Sequence, residues 1–337
     1  MTIGTNFSEP KRCPICQNST VGLFCLMEDR DRKGREWEVW ECSSCRYGWT
    51  LPEISPQDLA QYYPGAYLGD TRKCLDEFAA GTLQRHRSWR RETEKIQLVE
   101  RFASGGRILD VGASNGSFLL ALDGTRWERV GVEFIAEVVN LVRQRHPDLD
   151  LKTGEIHSVD IEPHSLDMIT FWHVFEHLYE PQRVLARVAE LLKPGGKVVI
   201  SVPNFASFQR KLFKTHWYAF DVPRHLHHFS PTALESLFEG SGFETLEHVF
   251  FSRMNNFHQL KYSLINWSEA VSRSRIPYYL MKPGLVLFQW LEALSKGYGT
   301  VTTVARFQGG EGPVSRRRDG SNLKPDPVPK GFAEFPF

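Results

Sequence analysis

Arg107-Ile108-Leu109-Asp110-Val111-Gly112-Ala113-Ser114-Asn115-Gly116-Ser117-Phe118 is the stretch that decides the fold of this chain. Arg107 to Val111 is short and apolar behind Gly105-Gly106, as a central parallel strand would be, and Phe118-Leu119-Leu120 then shifts to helical spacing. A glycine-bearing turn joins the two. Ligands of open α/β sheets sit at such strand ends, so the stretch reads as a cofactor loop. The spacing Gly112-x-Ser114-x-Gly116 is not the dinucleotide fingerprint, which needs a third glycine to pack helix on strand. Val130-Gly131-Val132-Glu133 follows as a second short strand, and its terminal carboxylate can accept hydrogen bonds from both hydroxyls of a ribose.

Working outward, Ser165 to Leu178 contains a further apolar strand and the loop after it, with His173, Glu176 and His177 at its end. Arg183 to Leu192 reads as a helix closed by Lys193-Pro194-Gly195-Gly196, and Lys197 to Asn204 as the next strand, ended by Pro203. Thr245 to Ser252 and Gly299 to Phe307 supply two more strands. Strands alternating with helical stretches predict a doubly wound, mostly parallel sheet with helices on both faces.

These motifs, in this order, resemble the class I S-adenosylmethionine-dependent methyltransferases, in particular the group with ubiquinone-biosynthesis O-methyltransferases and bacterial saccharide methyltransferases. The resemblance covers residues 85 to 252 and implies a seven-stranded Rossmann-like sheet. It also implies cofactor contacts. Asp110 takes the ammonium side of the methionyl group, while Gly112, Ala113, Ser114 and Gly116 let the backbone approach it. Glu133 takes the ribose, Glu155 in Gly154-Glu155-Ile156 the adenine amino group, and His173 lies beside the sulfonium. Ser114 stands where the family has a glycine, which a serine tolerates if the backbone there does not need a positive φ.

Cys13-Pro14-Ile15-Cys16 and Cys42-Ser43-Ser44-Cys45 form the second strong signal, C-x2-C-x25-C-x2-C. Two such knuckles place four thiolates around one ion, the pattern of a structural zinc site in a small ribbon. Two disulfides would be the other reading, but Met1 to Pro10 does not resemble a secretion signal, so a cytoplasmic, reducing setting is expected. Glu36 to Glu41 alternates polar and apolar residues, as a ribbon strand does. Cys25 and Cys74 remain as reduced thiols, Cys25 buried.

The expected organisation is a zinc ribbon over residues 1–55, an aromatic linker over 56–84, a methyltransferase domain over 85–307 with a helical insertion at about 253–298, and a flexible tail over 308–337. The linker holds Gln61 to Leu68, an aromatic turn that forms either a packing hinge or a lid over the cofactor, with Tyr63 and Tyr67 as substrate-binding candidates. The order ribbon, tyrosine-rich linker, core is also that of the deoxysugar C-methyltransferases. In the insertion, Lys282, Pro283 and Gly284 interrupt the apolar run, which falls short of the ~20 residues needed to span a bilayer. It closes a pocket or a dimer face, or it docks on the inner face of a membrane as a peripheral contact.

Acceptor chemistry is expected after Pro203. Trp217 to Pro231 puts His225, His227 and His228 with Asp221 and Arg224 in one loop before a helix capped by Ser230. Methyl transfer needs an acceptor held about 3 Å from the methyl carbon and relieved of its proton, which a neutral imidazole can do. Aligned with the sugar C-methyltransferases, His225 is the candidate base, with His227 and Asp221 as further catalytic candidates. Arg224 replaces the family's glutamate and is free to bind an anionic part of the substrate. Without that glutamate an oxygen acceptor is favoured over carbon.

Charge gives no reason to expect nucleic acid as the main partner, since 41 basic residues face 40 acidic ones. The reading is therefore O-methylation of a saccharide, natural-product or lipid-linked acceptor. The competing readings are RNA base methylation with the ribbon as a substrate-binding module, C-methylation of a deoxysugar nucleotide, and an inactive scaffold.

Overall fold

A computed structural model of the 337-residue chain describes residues 10–30, 34–62, 87–250, 253–295 and 297–309. Tyr63, Tyr67, Cys74 and the 308–337 tail beyond Gly309 lie outside them.

The large sheet is built from β4 (Gly106–Val111), β5 (Trp127–Glu133), β6 (Asp150–Thr153), β7 (Leu166–Trp172), β8 (Leu192–Pro203), β10 (Phe243–Val249) and β11 (Thr300–Phe307). Its order is β10-β11-β8-β7-β4-β5-β6. Neighbours from β6 to β8 run parallel, and only β11 runs antiparallel, between β8 and β10. Parallel strands covered on both faces must be apolar throughout, and Ile108, Leu109, Ile169, Phe171, Val199 and Ile200 are fully buried. Helices α2 (Arg87–Phe102), α3 (Ser117–Ala121), α4 (Ala136–Arg145), α5 (Pro181–Leu191) and α7 (Pro231–Glu239) accompany these strands, with α1 (Pro56–Ala60) following the ribbon and α6 (Phe208–Phe213) following β8. The order reverses between β4 and β7, which opens a crevice at their carboxyl ends.

One boundary differs from the expectation. Lys193 to Gly196 carries the signals of a stop before the strand, yet β8 starts at Leu192, paired with Leu166, and a register shift brings Lys197 opposite Met168. The turn residues are absorbed as an irregularity, with Gly195 at φ 81°.

The second sheet contains a join that was not foreseen. β1 (Val21–Glu28), β2 (Glu36–Cys42) and β3 (Gly48–Leu51) form the N-terminal ribbon, and β9 (His227–His228), from the histidine-rich loop, pairs with β3 as its fourth strand. The Trp217–Pro231 segment is therefore part of the ribbon's sheet as well as a loop of the large domain. Thr50 donates its N–H to the Leu226 carbonyl at 3.0 Å and its hydroxyl to the His225 carbonyl at 2.9 Å. Ser230 caps α7 through Ala233 N and donates its own hydroxyl to the Cys45 carbonyl at 2.6 Å. Tyr47 and Phe229 rings lie 5.4 Å apart, and Phe229 continues to Phe175 at 5.3 Å, so the ribbon core runs into the large domain's core. Cys25, expected to be buried, is only half-buried on β1.

Before β11 come α8 (Arg253–Ser272), α9 (Ile276–Met281) and α10 (Leu285–Ser295), the helical insertion. Leu260, Leu264, Tyr278 and Leu285 anchor it beneath Trp217 and Phe220. No helix of the described residues is long and apolar enough to cross a membrane.

Candidate active site

At the carboxyl end of β4 the backbone turns sharply. Gly112 (φ 70°), Ser114 (φ 51°) and Gly116 (φ 72°) are all left-handed, so the condition under which a serine would replace the family's glycine without strain is not met. The turn is fixed by Gly112 and Ala113 N–H groups donating to the Val132 carbonyl at 2.8 and 3.0 Å, and by Gly116 N–H donating to the Ala113 carbonyl at 2.9 Å. A Cβ on Gly112 would lie 2.5 Å from a Val174 methyl. The loop's close approach to the segment after β7 therefore leaves no room for a Cβ at Gly112.

Glu133, at the end of β5, is buried and accepts Ser114 N–H at 2.9 Å and Ile135 N–H at 3.1 Å, one on each carboxylate oxygen. The carboxylate keeps acceptor capacity for a ligand hydroxyl. Burial pushes its pKa up, against those two backbone donors and Phe134 N–H. Asp110 is buried, accepts the Thr170 hydroxyl at 2.6 Å, and is pushed up to about 7 by burial, which Lys95 and Thr170 partly offset. A cationic group beside it would restore its charge. Glu155 is half-buried after β6, where Gly154 N–H ties it to the Glu133 carbonyl at 3.0 Å, and burial raises its pKa. These carboxylates, the left-handed turn and His173 lie at the carboxyl ends of β4, β5, β6 and β7, and the donors and acceptors suit a zwitterionic nucleoside.

At the end of β7 the sequence reading missed the organising residue. Glu176, 1% exposed in the turn Phe175–His177, has both carboxylate oxygens buried without a hydrogen-bond partner among the described residues. Imidazoles surround it: His173 Nδ1 stands 3.6 Å and His225 Nε2 4.0 Å from Oε1. Burial raises its pKa, but the imidazoles of His173, His177 and His225 outweigh burial and hold the carboxyl below its usual range. His177 Nδ1 donates to the Arg224 carbonyl at 2.9 Å, and His225 Nδ1 to the Ala219 carbonyl at 2.9 Å. Carbonyls only accept, so each ring carries its proton on Nδ1 and offers Nε2. Burial and His177 push His225 down to about 4, against Asp221, Glu176 and the Ala219 carbonyl, so its ring is neutral at pH 7. Glu176, His177 and His225 each offer a ligand atom within 4.8 Å of the others.

The remaining loop candidates are placed elsewhere. His227 pairs in β9 and turns Nδ1 to the Tyr47 hydroxyl at 2.5 Å, and His228 Nε2 meets Thr50 Oγ1 at 3.1 Å. Both belong to the ribbon junction. Arg224, 8% exposed, bonds Asp221 at 3.0 and 2.7 Å, Asp29 at 2.9 Å and the Tyr62 carbonyl at 2.8 Å. That network commits its guanidinium to protein partners instead of substrate, and it commits Asp221 to Arg224. The carboxylate nearest His225 Nε2 is Glu176, from the other strand. Its signal in the sequence was only the adjacent His-x-x-Glu-His spacing.

The cysteines meet as the spacing predicts. Cys13, Cys16, Cys42 and Cys45 sulfurs lie within 4.8 Å of one another, with Cys13–Cys45 at 3.6 Å and Cys16–Cys42 at 3.7 Å. Sulfurs on a tetrahedral ion at about 2.3 Å stand about 3.8 Å apart, so the set fits zinc. Both knuckles close alike: Gln17 N–H donates to the Cys13 carbonyl and Arg46 N–H to the Cys42 carbonyl, with Gln17 and Arg46 left-handed at φ 58° and 59°.

Residues 82–248 match the model of a methyltransferase domain family. A probable S-adenosylmethionine-dependent methyltransferase of Mycolicibacterium smegmatis is 24% identical over 160 residues, 46% of this chain and 59% of that protein. A demethylmenaquinone methyltransferase of Bacillus cereus is 28% identical over 140 residues, 38% of this chain and 58% of that protein. The solved structure of a candidate methyltransferase from Bacillus halodurans matches with a TM-score of 0.47 and 14% identity, covering 64% of this chain and 98% of that one. The chain thus spans less than two thirds of the length of these curated relatives, and the matched segment contains neither the four cysteines nor the helical insertion. Residues 82–248 are similar to a methyltransferase domain, and the parallel strands β4 to β8 of the large sheet fall within that segment.

Proposed function

We propose that this chain is an S-adenosylmethionine-dependent methyltransferase acting on an oxygen of a small or lipid-linked acceptor. The observation that carries the reading is the convergence, at the carboxyl edge of the parallel strands, of the left-handed loop with Asp110 and Glu133 and of the Glu176 imidazole cluster. The cofactor, when bound, supplies an electrophilic methyl group on a sulfonium. Asp110 would pair its ammonium, the Gly112–Gly116 turn would admit its methionyl part, and Glu133 its ribose. The cluster stands where an acceptor would be held and deprotonated, with neutral His225 backed by the Glu176 charge.

The insertion supports a lipid-linked acceptor. Ile276, Tyr279, Leu280 and Met281 are 65, 63, 77 and 50% exposed, and no acidic residue occurs between Glu269 and Glu292, while Arg273, Arg275 and Lys282 do. An apolar tip flanked by cations suits the interface of an anionic membrane. In the ribbon, zinc would be structural: four cysteines leave no open position, and the ion would hold β2 and β3 where β9 pairs.

Titration calorimetry with S-adenosylmethionine tests the cofactor assignment. Saturable one-site binding that is lost in Glu133→Ala is the expected result. No heat at millimolar cofactor would overturn the reading in favour of a scaffold.

A further inference from the structure

Buried carboxylates are tolerated when something compensates their charge. Glu176 is 1% exposed, yet neither oxygen has a hydrogen-bond donor among the described residues. Its imidazole neighbours stop at 3.6 and 4.0 Å from Oε1, beyond hydrogen-bonding distance. Nitrogen and oxygen ligands at about 2.0–2.2 Å from a tetrahedral ion stand about 3.3–3.6 Å apart, so the 4.0 Å between His225 Nε2 and Glu176 Oε1 admits one ion with a closure of a few tenths of an ångström.

The rings are also set as ligands. His177 and His225 each spend Nδ1–H on a backbone carbonyl, at 2.9 Å in both cases, which fixes the tautomer and presents Nε2. Backbone bonds lock the frame: Leu226 N–H donates to the Glu176 carbonyl at 3.0 Å, joining the β7 end to the loop that carries His225.

We infer that Glu176, His177 and His225 form a binding site for a divalent cation, separate from the four cysteines and placed at the acceptor end of the cleft. Two imidazoles and one carboxylate are a donor set for manganese, iron or zinc with positions left open for substrate oxygen. The inference rests on the cluster being the acceptor end, and it changes His225 from proton acceptor to ligand. The cation then binds the acceptor oxygen and lowers its pKa. The acceptor O–H ionises, with its proton passing to His173, which is a third exposed. An oxygen lone pair forms the bond to the methyl carbon as the carbon–sulfur bond breaks and its electron pair stays on sulfur.

Manganese(II) is the discriminating probe, since it binds thiolates poorly and does not displace zinc from the ribbon. Electron paramagnetic resonance titration of the full chain with its ribbon zinc in place should show one equivalent of Mn(II) leaving the free-ion signal. Glu176→Gln and His225→Gln should each weaken that binding more than about 100-fold, beyond what loss of an outer-shell partner costs. Calorimetry with S-adenosylmethionine on the same samples reports whether the variants remain folded and keep the cofactor site, independently of the metal. An unchanged free Mn(II) signal at millimolar protein would overturn the inference and leave a water-filled cage. Equal binding by wild type and both variants would overturn it as well.

Discussion

Thr50→Val separates the ribbon's role from the cofactor's. Thr50 is 5% exposed on β3, and its hydroxyl donates to the His225 carbonyl at 2.9 Å while lying 3.1 Å from His228 Nε2. Valine keeps the shape and removes both bonds. Two buried polar groups then lack a partner, at about 1–3 kcal/mol each, so a loss of about 3 kcal/mol is expected. For a domain of this size that is roughly 6–12 °C in Tm. The side chain lies in the ribbon, apart from the Gly112–Gly116 turn, so the dissociation constant for S-adenosylmethionine should hold within about twofold. Turnover should fall at least about tenfold, because the lost bond is the one made directly to the His225 carbonyl, and the remaining bonds of that backbone, from Thr50 N–H to Leu226 and from Leu226 N–H to Glu176, do not fix the His225 peptide itself. Differential scanning fluorimetry, cofactor calorimetry and methyl transfer read the three effects, and Thr50→Ser should restore them. Wild-type Tm and turnover in Thr50→Val would refute the idea that the ribbon positions the site.

Gly112→Ala should weaken cofactor binding at least about tenfold, since the methyl meets Val174 at 2.5 Å and a left-handed residue costs about 1–2 kcal/mol; unchanged affinity by calorimetry would contradict the loop assignment. Asp110, pushed up to about 7 by burial, gives a pH dependence. Its folded pKa lies above the unfolded value of about 3.9, so its ionisation costs the free protein stability as pH rises through that interval, and a cationic ligand recovers it. Cofactor affinity should therefore be level above pH 7 and fall by up to about tenfold per unit below it, and Asp110→Asn should flatten the profile. Removing zinc by a strong chelator should lower Tm and turnover together, with Cys45→Ser reproducing the effect; a metal-free ribbon with full activity would exclude the structural role.

The large domain was legible because its signals are local. Apolar strands such as Ile108 to Val111, the glycine turn and the Ser230 cap are each decided within a few residues, and their order yields the sheet. The cysteine knuckles carry their spacing openly. What failed to show was long-range. β9 is two residues long, too short for any periodicity, and its pairing with Gly48 and Trp49 is set by tertiary packing. Glu176 looked like a neighbour of His177 because its second imidazole, His225, comes from a distant loop. Arg224 looked available to substrate because Asp29, its buried partner, lies in the ribbon. The Ser114 backbone, left-handed at φ 51°, could not be inferred from composition.

Transfer of a labelled methyl group from S-adenosylmethionine into cell extract, resolved into lipid, small polar and RNA pools, tests the proposed activity most directly. Wild-type protein should label the lipid or polar pool, with the label absent in Glu133→Ala. Label in RNA, or none above the Glu133→Ala background in any pool, would contradict it.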